Sequence, residues 1–269
     1  MKYKVLAFDI DGTLTNSKKE ITPATRTAIM KAAEQGCVIA LATGRPVQGV
    51  ADFVRELNFK DIGGYVISLN GGYVLSCKEG KVISQDLLPM EYYGQICDMA
   101  KEYGVTLLTY EGDDVITENP DDEYVQIEAR INKIEIRKVD DMKSHLTFSI
   151  PKFLMVGDGE YMADVEQKVK PVFEGKLDVY RSEPFFLEIL PKGINKANAL
   201  NALLQEVGAT REELIAFGDG YNDLSMIEYA GMGVAMSNGN EIIKERADYI
   251  APSNDEDGIV HVLEKFVLD

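Results

Sequence analysis

In "AFDIDGTLT" (residues 7–15) two aspartates, Asp9 and Asp11, stand two apart just where an apolar run ends. As the chain leaves a strand, that spacing lets both carboxylates flank one point, and Gly12 permits a sharp departure. A pair of this kind suits nucleophilic or acid–base work. The plain alternative is an Asp-Gly turn, since both residue types favour turns.

Another aspartate occurs twice in similar surroundings. "FLMVGDGEYMADVEQ" (153–167) and "LIAFGDGYNDLSMIE" (214–228) each run from an apolar stretch through Gly-Asp-Gly into a helical pattern. Only the later copy follows its aspartate, Asp219, with Asn222 and Asp223.

The elements that must position these residues are legible from their patterns. "YKVLAF" (3–8) is nearly all apolar, as expected of a parallel strand buried on both faces. The segment "ITPATRTAIMKAAEQG" predicts a helix with Thr22 as N-cap, Pro23 at its first position and Gly36 as its stop. "CVIALAT" (37–43) predicts a second strand, "PVQGVADFVREL" (46–57) a second helix and "YVISLN" (65–70) a third strand. Strand, helix, strand, helix, strand implies right-handed crossovers and a parallel sheet. "YVLS" and "KVISQ" around "CKEG" predict a hairpin. Beyond it lies a mixed stretch, with "VTLLTY", "KFLMVGD" and "LDVYRS" as strands and "YEGDDVITENPDDE" as a polar, acidic loop region. The alternating pattern resumes with "NKANALNALLQEVG", "LIAFGD", "NDLSMIEYAG", "GVAMSN", "NEIIKERA" and "DGIVHVLEKFVL". The economical reading is one α/β core interrupted by an inserted domain.

Ligands of open α/β sheets bind beyond the carboxyl ends of the strands. That rule puts Asp9, Asp11, Thr43 and Asp219 at one sheet edge, although Asp9 and Asp219 are far apart in sequence. Thr43-Gly44-Arg45 ends the second strand and Asn70-Gly71 the third, and Lys196 opens the helix before Asp219. Each has a blander reading. Thr43-Gly44 can be a simple turn, Arg45 a surface charge and Asn222 a helix cap. Lys196 at a helix start opposes the helix dipole, which favours function over a solvated face.

Composition narrows the classes. The chain has 269 residues, enough for one large domain or two modest ones. Its formal charge of −17 argues against a nucleic-acid partner, which needs a basic face. Cys37, Cys77 and Cys97 are scattered, so neither a disulfide framework nor a zinc site is expected, and a cytoplasmic location fits. Two histidines are too few for a histidine-rich metal site. "VLAF" is too short for a signal peptide, and no run approaches the ~18 apolar residues of a membrane span. No amphipathic stretch identifies a protein partner.

Taken in order, "DIDGTLT", "ATGR", Lys196 in "GINKANAL" and "GDGYND" resemble the four motifs of the haloacid dehalogenase (HAD) superfamily. The insertion resembles the large α/β cap of its Cof-type branch. "FFLEILPKGINKANAL" and "MIEYAGMGVAMSN" resemble the YidA-type sugar phosphatases. The resemblance spans essentially the whole chain. It implies a doubly wound, Rossmann-like parallel-sheet core of residues 1–82 and 188–269, with an α+β cap of residues 83–187 that would close over the site and select the leaving group.

The resemblance also assigns roles. Asp9 would be the nucleophile, Asp11 the acid and then the base, and Lys196 a cation beside the nucleophile and phosphate. Mg²⁺ would be held by an Asp9 oxygen, the Asp11 carbonyl and Asp219, with Asp223 holding a metal-bound water. The Ile10 amide, Thr43 with Gly44, Lys196 and Asn222 would hold phosphate oxygens. Arg45, Asn70 and Gly71 would lie near the substrate. As an acid, Asp11 is expected to have a raised pKa. On this reading "GDGYND" is the catalytic copy, and Asp158 of "GDGEYMAD" is a strand-to-helix turn residue.

The implied activity is Mg²⁺-dependent hydrolysis of a small phosphorylated metabolite through an aspartyl-phosphate. The alternatives are a phosphomutase or phosphotransferase, which shares that chemistry, and a non-catalytic phosphate-ligand sensor. The acidic loop region would repel highly charged ligands, which favours a sugar carrying one phosphate; pyridoxal phosphate and flavin mononucleotide stay open. Tyr92, Tyr93, Tyr124 and Phe185 either line a pocket or pack within the cap core.

Overall fold

The computed structural model describes residues 2–268. Its strands are β1 (Val5–Phe8), β2 (Val38–Ala42), β3 (Tyr65–Ser68), β4 (Tyr73–Ser76), β5 (Lys81–Gln85), β6 (Thr106–Glu111), β7 (Asp114–Thr117), β8 (Glu135–Lys138), β9 (Phe153–Val156), β10 (Leu177–Glu183), β11 (Phe186–Pro191), β12 (Leu214–Gly218), β13 (Met232–Met236) and β14 (Tyr249–Ala251). The described chain separates into two compact units, one of residues 2–85 with 195–268, the other of Asp86–Ile194.

The first unit holds an eight-stranded sheet in the order β14-β13-β12-β1-β2-β3-β4-β5. From β14 to β3 every pairing is parallel, and β4 and β5 add an antiparallel hairpin at one edge. β1 lies between β12 and β2 and is buried throughout, which is why its sequence is a continuous apolar run. Leu6 and Phe8 face a core shared with the helices Pro23–Glu34 and Gly258–Phe266, while Val5 and Ala7 face Ala199, Leu200 and Leu203 of the helix Lys196–Val207. Phe8 stacks on Phe217 with ring centroids 4.7 Å apart.

Thr22 caps the first helix by accepting from the Thr25 amide, and Pro23 stands at its start. The helix ends at Glu34 with Gln35 as its C-cap, and Gly36, at φ +96°, follows directly as the expected stop. The expected helix over 46–57 divides instead into a 3₁₀ turn, Val47–Val50, and a short α-helix, Ala51–Glu56. Gly49 and two β-branched valines weaken the α-ladder there, and the Arg45 Nη1 draws on the Gly49 carbonyl at 3.3 Å.

The second unit holds a six-stranded sheet in the order β10-β11-β9-β6-β7-β8, antiparallel except for β7 with β8. Its limits differ by a few residues from 83–187. Residues 83–85 belong to β5, which pairs with β4, and residues 188–191 belong to β11, which pairs with β9 and β10. The stretch expected to be an acidic loop is largely the β6–β7 hairpin, with Val115 and Ile116 fully buried. Their apolar pair was masked by flanking acids, some of which are neutralised: Arg137 bridges to Asp114 at 3.1 Å and also pairs with Glu111.

The four aromatics pack among themselves and their neighbours. The Tyr93 hydroxyl donates to Leu88 O (3.1 Å) and accepts from the Ile150 amide (2.9 Å). Tyr92 meets Phe173 edge-on, and Tyr124 stacks on Phe185. Asp158 caps the helix Gly159–Val169 by accepting from the Glu160 and Tyr161 amides. Among the described residues no helix is long and apolar enough to cross a membrane.

Candidate active site

β1 and β12 are parallel neighbours, so the residues that follow them meet. The Asp9 amide donates to Phe217 O at 3.0 Å, and carboxylate oxygens of Asp9, Asp219 and Asp223 all lie within 4.8 Å of one another. Gly12, at φ +85°, turns the chain beside Asp219, and any Cβ there would collide with the Asp219 carboxylate. Thr13 Oγ1 donates to Asp219 Oδ1 at 2.8 Å.

Lys196 is fully buried at the first position of its helix, which Asn195 caps by accepting from the Asn198 amide. Its Nζ donates to Asp9 Oδ1 at 2.7 Å and to Asp223 Oδ1 at 2.5 Å. The other Asp223 oxygen accepts from the amides of Asp219 (3.0 Å) and Gly220 (2.9 Å). Asp223 thus fixes both the lysine and the turn that carries Asp219.

Three carboxylates against one buried ammonium leave an excess of negative charge. Burial, with the Asp223 and Asp219 charges added, pushes Asp9 up to about 8 against the pull of Lys196. Burial pushes Asp219 up to about 6. For Lys196 burial works downward, but Asp223 and Asp9 outweigh it and hold the ammonium above its ordinary value. Converging, oxygen-only donors that resist ionising without a counter-charge fit a hard divalent cation.

Asp11 differs from expectation. Burial would raise its pKa, but the hydrogen bonds and charge of Arg45, joined by Lys19, bring it below the ordinary value. Arg45 Nε reaches Asp11 Oδ2 at 2.8 Å and Nη2 reaches Oδ1 at 2.7 Å, and Lys19 Nζ adds a contact to Oδ1 at 2.9 Å. The raised value expected of an acid is therefore not what this structure holds, because two cations stabilise the carboxylate.

The phosphate-binding candidates gather at the same edge. Ile10 is buried directly after Asp9. Thr43 is buried at the end of β2, its Oγ1 accepting from the Arg45 amide at 3.2 Å. Gly44 packs against the Asn70 side chain, Gly71 lies against the Asn195 carbonyl, and Asn222 Nδ2 donates to Asn70 Oδ1 at 3.0 Å. Thr13, Lys19 and Asn238, whose Nδ2 donates to Gly12 O at 2.8 Å, were not singled out from sequence. Thr13 sits inside "DIDGTLT" and Asn238 follows the end of β13, so strand-end position was a usable signal for both.

A buried lysine among aspartates at the carboxyl edge of a doubly wound sheet is the equipment of a phosphoryl-transfer enzyme. The chain belongs to the haloacid dehalogenase-like hydrolases, whose sequence pattern matches residues 6–263. Within that family it is a Cof-type phosphatase, a phosphoric monoester hydrolase. A haloacid dehalogenase-like hydrolase from Bacteroides thetaiotaomicron shares 45% identity and a TM-score of 0.94, over 98% of this chain and 99% of the other. YxeH of Bacillus subtilis (strain 168), whose name places it with the phosphatases, is 34% identical over 269 residues, 99% of each chain. The subclass IIB sugar phosphatase BT4131 is 28% identical with a TM-score of 0.82, over 98% of both chains.

Proposed function

We propose that this chain is a cytoplasmic, Mg²⁺-dependent phosphatase that hydrolyses small sugar phosphates through an aspartyl-phosphate on Asp9. The observation that carries the reading is the Lys196 bridge: one ammonium holds Asp9 Oδ1 and Asp223 together beside Asp219, which leaves the second Asp9 oxygen to act. Asp9, Asp219 and the Asp11 carbonyl would hold the cation, with Asp223 behind them contributing through solvent. The bound cation supplies the positive charge that keeps these carboxylates ionised and offsets that of the phosphate.

The residues then divide the work. An Asp9 oxygen attacks phosphorus in line as the bond to the leaving oxygen breaks. Asp11 passes a proton to that leaving alkoxide, and so must acquire one despite Arg45 and Lys19. In the second step Asp11 takes a proton from water, the water oxygen attacks phosphorus, and the bond to Asp9 breaks to release inorganic phosphate. The Ile10 amide, Thr43, Gly44, Asn222 and Lys196 hold the phosphoryl oxygens, and Arg45 lies toward the leaving group.

The sugar-phosphate class rests chiefly on the likeness to a sugar phosphatase, because the acids of the β6–β7 hairpin are partly neutralised and repel less than their number implies. In this reading the second unit carries the choice of leaving group. Cys37, Cys77 and Cys97 are thiols that form no disulfide with one another, which fits a reducing compartment.

The test is phosphate release from a panel of sugar phosphates, pyridoxal phosphate and flavin mononucleotide, with and without Mg²⁺, using Asp9→Asn as the control. Mg²⁺-dependent release that disappears in the control is the expected result. Turnover no greater than the control across the panel would return the mutase and sensor readings to the front.

A further inference from the structure

We propose that Asn70 is a positioning residue that aims the phosphate-holding groups of two separate loops, and is not itself a substrate contact. The inference rests on the phosphatase reading above and concerns the turn after β3.

Leu69, Asn70 and Gly71 stand at φ 54°, 55° and 109°, three left-handed residues in succession. A leucine rarely adopts that region, and such a run persists only where its surroundings over-determine it. Here they do. The Leu69 amide donates to Arg45 O (3.0 Å) and the Asn70 amide to Thr43 O (2.9 Å), so the turn is bonded along the loop that follows β2. Gly71 lies so close to the carbonyl of Asn195, the residue before Lys196, that no Cβ fits.

This backbone delivers one side chain to a junction. The Asn70 amide group lies against Gly44, where an added Cβ would sit 3.2 Å from Oδ1. The same Oδ1 accepts from Asn222 Nδ2. Asn222 is exposed in the 3₁₀ turn Tyr221–Asp223 after β12, and a short amide there would otherwise sample several rotamers. With one of its N–H groups committed to Asn70, its second is aimed before phosphate arrives. Asn70 thus links the Thr43-Gly44 loop to Asn222, a second part of the proposed phosphate cradle that lies 152 residues from Asn70 in sequence. Pre-orientation of this kind removes the ordering cost from the reaction itself.

The test is a double-mutant cycle with Asn70→Gly, Asn222→Ala and the pair. Glycine keeps the left-handed backbone while removing the amide; Asn70→Ser, too short to reach Asn222, serves if the glycine variant does not fold. Two readouts are taken with Mg²⁺ present: kcat/KM on the fastest sugar phosphate and calorimetric binding of inorganic phosphate. Each single variant should weaken both by about 10- to 100-fold, and the double variant should lose at least about fivefold less than the product of the two single losses, because part of what Asn70 does runs through Asn222. Independent, multiplying losses would overturn the proposal, as would phosphate binding unchanged in Asn70→Gly, or a loss confined to the KM of particular sugars. A wild-type protein that binds phosphate but turns nothing over would defeat the phosphatase reading, and the binding cycle would still decide the role of Asn70.

Discussion

Arg45 grips both carboxylate oxygens of Asp11, Nε on Oδ2 at 2.8 Å and Nη2 on Oδ1 at 2.7 Å. The general acid proposed for the first step is thereby held ionised. A proton donor stabilised as its own conjugate base is in the wrong state until the grip changes, so in the proposed mechanism Arg45, with Lys19, would govern when Asp11 can act.

Removing the grip has a definite sign. Arg45→Ala should raise the Asp11 pKa, because the hydrogen bonds and charge that lower it are lost. The limb on which activity falls as the acid deprotonates should move to higher pH, with Lys19 still opposing the move. A pH profile of kcat/KM for the variant checks this, and a limb that stays in place would show that Arg45 does not act through Asp11.

The acidic cluster predicts how stability follows pH in the absence of metal. Asp9 at about 8 and Asp219 at about 6 both lie above the ordinary 3.8, so the folded state binds more protons than the unfolded state between those values. Their contribution falls as pH rises from about 4 through 8. Scanning calorimetry in a chelator should show this loss, and it should shrink in Asp9→Asn. Added Mg²⁺ should offset it and release protons on binding. A melting temperature equally flat in both proteins would argue against the charge excess.

Lys196→Met keeps the volume of the buried chain and deletes its charge. Asp223 then loses its buried counter-ion, and Asp9 is driven further toward its protonated form. Stability should drop by about 3–5 kcal/mol at neutral pH, and kcat by about 10²–10³-fold. Urea unfolding and single-turnover kinetics measure the two separately. A fully stable but inactive variant would mean that the ammonium serves chemistry alone.

The two Gly-Asp-Gly segments should separate cleanly. Asp158→Ala removes a helix cap and should cost about 1 kcal/mol, with turnover unchanged. Asp219→Ala should abolish Mg²⁺-dependent turnover and weaken calorimetric Mg²⁺ binding. Equal losses of activity in both variants would mean that Asp158 serves turnover as well as its helix.

Much of the frame was written in local pattern. The apolar run of β1, the Thr22 cap with Pro23, and the hairpin of β4 and β5 all depend on near neighbours in sequence. The edge at which Asp9, Thr43 and Asp219 gather also followed from sequence, because consecutive parallel strands all point their carboxyl ends the same way. The 3₁₀ break at Val47–Val50 and the buried Val115 and Ile116 were missed, because a helical period hid a weak ladder and flanking acids hid a strand.

Tertiary packing alone decided which charge meets which. Lys196 lies 187 residues from Asp9 in sequence, and Arg45 lies 34 from Asp11. No local propensity encodes those distances, which exist because β2, β1 and β12 align side by side and the Lys196 helix packs against that sheet. The same packing holds Leu69 and Asn70 in a backbone region that a leucine would not choose by itself. Residue type and strand position therefore named the chemical groups, while long-range packing set their partners and their charge states.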